Sequence, residues 1–145
     1  MSNENDLQRF VDAQETTIFD AMLELRGGRK RTHWMWFVFP QLRGLGQSQM
    51  AWHFGMQSVE EAAAYLAHPV LGQRLRECVE LVLAVRGRTA REIFGQPDDL
   101  KFLSSLTLFA EAERGKGSGV FDRALRQYFA GQPDQATLEL LAKAR

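Results

Sequence analysis

The sequence predicts an all-α fold, on three observations. Apolar residues recur at three- and four-residue intervals through most of the chain, helix-capping patterns precede several of those runs, and no stretch alternates apolar and polar residues with a period of two. At 145 residues the chain is long enough to bury one continuous core without disulfides or metal staples. The expectation is therefore a single domain over 1–145, an irregular orthogonal bundle of about seven to nine short helices. The polar and acidic residues 1–6 are expected to be a disordered N-terminus.

Leu7, Phe10, Val11, Gln14, Ile18, Met22 and Leu25 share one stripe, belonging to one long helix or two short ones that end at Gly27-Gly28. The densest apolar run, Trp34 to Phe39, has the composition of a buried strand. A lone strand would leave its amides and carbonyls without ladder partners, so the run is read as a short buried helix or extended segment ended at Pro40. Ser48, after Gly44-Leu45-Gly46, marks a helix start. Ser58 and Glu61 have the spacing of a reciprocal capping box and open a helix through Leu66. His68-Pro69 stops it, and Pro69 suits the first position of the next helix.

Leu71, Leu75, Cys78, Val82 and Val85, with Val79 and Leu83 widening the stripe, describe a core helix. Thr89 and Glu92 repeat the capping-box spacing ahead of Phe94-Gly95. Pro97, Asp98 and Asp99 suit the first turn of a helix running to about Arg114, where a fixed φ and the positive end of the dipole favour them. Phe102, Leu106 and Phe109 lie on one of its faces and Leu103, Thr107 and Ala110 on the next, which makes this helix central. The glycines of 115–119 break the chain. Val120, Ala124, Leu125, Tyr128 and Phe129 form a further helix stopped near Gly131, and Asp134 caps a last one carrying Leu138 and Leu141.

Composition excludes several classes of function. The 18 basic and 18 acidic residues balance, leaving no overall field to capture nucleic acid or a membrane surface. The single Cys78 forms no internal disulfide, and neither a signal peptide nor a span-length apolar run is visible, so a cytoplasmic location is expected. His33, His53 and His68 lack the spacing of helical zinc ligands, so no metal is expected, and no motif calls for a cofactor. Ser104-Ser105 lacks the glycine-flanked elbow of a serine nucleophile. Gly44-Leu45-Gly46 and Lys116-Gly117-Ser118-Gly119 carry only fragments of a phosphate loop and are read as turns or connectors.

Lys30-x-x-His33-Trp34-Met35-Trp36-Phe37-Val38-Phe39-Pro40-Gln41, Gly44-Leu45-Gly46, Phe94-Gly95-x-Pro97-Asp98-Asp99-Leu100-Lys101 and Ser104-Ser105-x-Thr107-Leu108-Phe109 together resemble a bacterial family, domain of unknown function 1810. The resemblance runs from about Leu7 to Leu141 and implies an all-α single domain with no established activity. Some members of that family carry the name calpastatin, an inhibitor with disordered, proline-rich repeats. The 4 Pro and the strong caps of this chain describe a folded protein instead.

Large rings supply core area first, so Trp34, Trp36, Phe37 and Phe39 are core candidates before they are ligand platforms. Cations and polar groups nevertheless flank them, the mixture from which small-molecule sites are built. The expected site draws on segments 30–46 and 97–107 and takes an anionic, ring-bearing, nucleotide-like metabolite. Trp36 would stack on the ring, Lys30 and Lys101 supply charge, Gln41 fix orientation, His33 act as acid or base, and Ser105 add a polar contact. Neither catalytic residues nor an oligomeric state are assigned. The alternative is a non-enzymatic protein-interaction module using exposed aromatics. A concave site lined by Trp36, Gln41 and Lys101 favours the first, and a flat patch containing Trp34 and Trp52 the second.

Overall fold

The structure, a computed structural model, describes residues 3–114 and 119–143. Among them stand ten helices: α1 Asn3–Glu15, α2 Ile18–Arg26, α3 Met35–Val38, α4 Gln49–Phe54, α5 Val59–Ala67, α6 Leu71–Ala84, α7 Ala90–Phe94, α8 Asp98–Glu113, α9 Val120–Phe129 and α10 Gln135–Lys143. The count exceeds the expected seven to nine because the first stripe divides at Thr16-Thr17 and the short α3 and α4 are both helical. Among the described residues the strand-like pairing is limited to one isolated bridge between Leu42 and Met56. It lets the chain after α3 return alongside the end of α4, with Met56 N donating to Gln41 O at 2.9 Å.

α8 is the axis of the bundle, as its two apolar faces require. It packs against α5, α7, α9 and α10 and buries Phe102, Leu106, Leu108 and Phe109. The aromatic run feeds the same core: Phe39 meets the Phe102 ring edge-on at 5.0 Å, and Phe94 stacks on Phe102 at 4.5 Å. Tyr65 and Phe10 pack edge to face at 5.2 Å. Trp34 is 0% exposed. α8 also ties down the last helix, since Asp134 caps α10 through Thr137 N and accepts a bond from Ser104 Oγ at 3.0 Å. Cys78 is enclosed in α6, and burial, with Glu77 adding to it, pushes its thiol up to about 12.

Side-chain caps form as local spacing dictates at α4, α7 and α10, and the expected starts are redirected at α5, α6 and α8. Thr89 and Glu92 form the full reciprocal box of α7. At α5, Ser58 Oγ accepts from Glu61 N, but the Glu61 carboxylate turns back one residue further, to Gln57 N at 2.8 Å, and ion-pairs with Arg9. α6 begins at Leu71, two residues after Pro69, because His68 Nδ1 accepts from the amides of Val70 and Leu71 and serves as the cap. Pro97 precedes the first turn of α8 instead of occupying it. The expected disorder of 1–6 falls partly on residues outside the described ones and partly on 3–6, where the backbone is helical. The fragment at Lys116-Gly117-Ser118 lies outside the described residues.

Candidate functional site

α2 ends in Gly27-Gly28, and the basic loop that follows is held by one carboxylate on α2. Glu24 Oε1 accepts from Arg31 N at 2.7 Å, Thr32 N at 3.0 Å and Trp34 Nε1 at 2.9 Å, while Oε2 accepts from Thr32 Oγ1 at 2.6 Å. Partial burial works to raise this carboxyl, but the four hydrogen bonds outweigh it and hold it at about 2. Lys30 N in turn donates to Ile93 O at 2.7 Å, which fastens the loop to α7.

With the loop so fixed, Lys30 points inward. Its Nζ lies 2.9 Å from Asp98 Oδ2, donates to Thr32 O at 2.6 Å and sits 5.1 Å from the Trp34 ring centroid. Lys101 Nζ lies 3.6 Å from Asp98 Oδ1 and 5.5 Å from the Trp36 ring centroid. Asp98 therefore bridges two ammonium groups, each of which also meets an aromatic ring.

On one side of that bridge is a recess lined by Met35, Trp36, Phe39, Gln41, Phe54 and Lys101, with the backbone of Gly55 closing it. Trp36, Gln41 and Lys101 thus come together. The recess measures about 10 Å³, room for roughly one water molecule and far less than a nucleoside ring needs.

On the other side an open cleft of about 470 Å³ is lined by Arg29, Lys30, Arg88, Arg91, Glu92 and Phe94, among others. Arg29, Arg88 and Arg91 make no ion pair among the described residues. Glu92 is occupied by the α7 capping box, its Oε1 accepting from Thr89 N at 2.8 Å. The residues expected at one site are thereby divided. Lys30 lines the cleft with its ammonium turned away to Asp98, Trp36, Gln41 and Lys101 line the recess, and His33 is exposed and lines neither. Ser105 is buried inside α8 at 1% exposure and reaches neither. Arg88 and Arg91 were the unforeseen members; the spacing Arg86-x-Arg88-x-x-Arg91 around the Thr89 cap was their visible signal.

Trp34 is buried, so no patch joins it to Trp52, which is 60% exposed and lies under the Arg43 guanidinium at 4.6 Å. No helix among the described residues is long and apolar enough to cross a membrane.

Residues 4–141 match a family described as "Protein of unknown function (DUF1810)". The crystal structure of the conserved hypothetical protein Rv1873 from Mycobacterium tuberculosis is similar to this chain at 55% identity and a TM-score of 0.91, covering 94% of this chain and 96% of that one. No curated protein matches the chain.

Proposed function

Since the chain belongs to the DUF1810 family of proteins of unknown function, no relative's chemistry carries over to it, and from geometry we propose that it binds a small, multiply charged anionic metabolite in the cleft between the 29–30 loop and α7. The observation that supports this is the gathering of Arg29, Arg88 and Arg91 around about 470 Å³, with Lys30, whose ammonium is paired with Asp98, and one carboxylate, already engaged, among the other lining residues. That volume lies within the range of small-ligand pockets. Guanidinium groups without carboxylate partners are preorganised to bind phosphate or carboxylate oxygens in pairs. Phosphate esters are the leading class, and a nucleotide is the ring-bearing member to try first. Its ring would rest on the arginine planes, since the Trp36 recess is too small to take it.

A thermal-shift and calorimetric screen of nucleotides, sugar phosphates and pyrophosphate at low and moderate salt tests the reading. A ligand at a hundred times its dissociation constant stabilises the fold by about 2.7 kcal/mol. The expected ligand loses affinity with rising salt and loses most of it in an Arg88→Ala, Arg91→Ala double variant. If no anion raises the midpoint, or one does so equally in the double variant, the cleft is not the site. The interaction-module reading, which draws on the exposed Trp52 and Met50, then takes precedence.

A further inference from the structure

A hollow of about 720 Å³ lies elsewhere, between α2, the end of α5 and α6, with Met22, Leu66, Ala67, Pro69 and Leu81 as its apolar lining and Arg26, Arg76, Glu77 and Glu80 among its charged lining. α2 buries Ala21 and Leu25 inward, which turns Phe19 and Leu23 outward, and these two are the most exposed large apolar residues on that helix, at 73% and 49%. An apolar ridge on α2 beside a groove that α2 shares with α5 and α6 is an arrangement that closes on itself when two copies meet about a twofold axis.

We infer that the α2 face docks a second copy of this chain, α2 antiparallel to α2 about an axis near Leu23, each Phe19 entering the partner copy's groove. The charges on the helix point to that occupant. Asp20 stands three residues before Leu23 and Arg26 three residues after it. In an antiparallel pair each Asp20 therefore faces the Arg26 of the other copy, and the contact is made twice. Neither side chain makes an ion pair or hydrogen bond among the described residues. A parallel pair would set like charge against like, so the pattern also fixes orientation. None of the cleft arginines proposed to bind anions takes part, so this inference and the anion reading stand or fall separately.

Sedimentation equilibrium of the full chain from micromolar to millimolar concentration tests it, with far-ultraviolet circular dichroism confirming that each surface variant is folded. A monomer–dimer equilibrium is expected. A Phe19→Lys, Leu23→Lys variant should remain monomeric throughout. Asp20→Arg should weaken the dimer by about tenfold or more, and adding Arg26→Asp to it should restore association. The inference is overturned by a monomer at every concentration, which would leave the groove to a different partner. A dimer indifferent to the Phe19 and Leu23 changes, or a charge swap that fails to restore it, overturns it equally.

Discussion

Glu24 satisfies four donors from three consecutive-to-near residues of an exposed loop, and the loop's position depends on that one carboxylate. Glu24→Ala leaves the Trp34 indole N–H and two amides without their acceptor and should cost about 3 kcal/mol, read as a lowered urea midpoint. The same carboxyl gives a pH dependence of known sign. Its folded value, about 2, is below its ordinary value of 4.5. The stability it contributes is therefore fully present above pH 4.5 and is lost as pH falls through about 2. The gap in stability between the wild type and Glu24→Gln should narrow over that window; a gap that widens on acidification contradicts the assignment. The two tryptophans separate in the same way. Trp34, 0% exposed, should cost about 3–5 kcal/mol on replacement by Ala, and half-buried Trp36 clearly less, by denaturation of both variants. Trp36, Gln41 and Lys101 were legible as candidates, but their meeting was not, because it depends on how the aromatic run packs against the start of α8. Glu24 was not, since its role depends on where a loop folds back, which no helical periodicity records.

At the scale of elements, α5 and α6 meet at a corner that tolerates no side chain. A Cβ placed on Gly72 would lie 2.1 Å from Leu66 O, the carbonyl that also accepts from Arg76 Nη1 at 3.3 Å. Gly72→Ala should therefore destabilise by about 2–3 kcal/mol through forced separation of the helices, measured by chemical denaturation, even though alanine is the better helix former. Helix identity was readable from the stripes of α6, α8 and α9, because each buries the face its spacing defines. The helix starts were read less well where a side chain had a competing partner. Glu61 leaves the Ser58 box for Gln57 and Arg9, and His68, read only as a stop, caps the following helix through its ring nitrogen. Both choices depend on groups brought near by packing. Thr89 and Glu92 face no such competitor, and their box forms as local spacing dictates.

Over the whole molecule, the 18 basic and 18 acidic residues balance in number without all being paired in space. The ion pairs of the described residues involve Arg9, Lys30, Arg76, Lys101, Arg114 and Arg123, while the arginines of the 29–31 and 86–91 segments have none. Net charge is a sum and carries no position, which explains why composition gave no hint of the cleft. Cys78, deep in α6 and the chain's single cysteine, has a different consequence. Held as a neutral thiol with no path to solvent, it is silent toward alkylating reagents until the helices around it part, so its labelling rate is a clock for global opening. A fold stable by about 5 kcal/mol exposes the sulfur in roughly one molecule in several thousand at any instant. Each substitution above can then be weighed in dilute buffer, without denaturant, by how much faster that one sulfur is trapped.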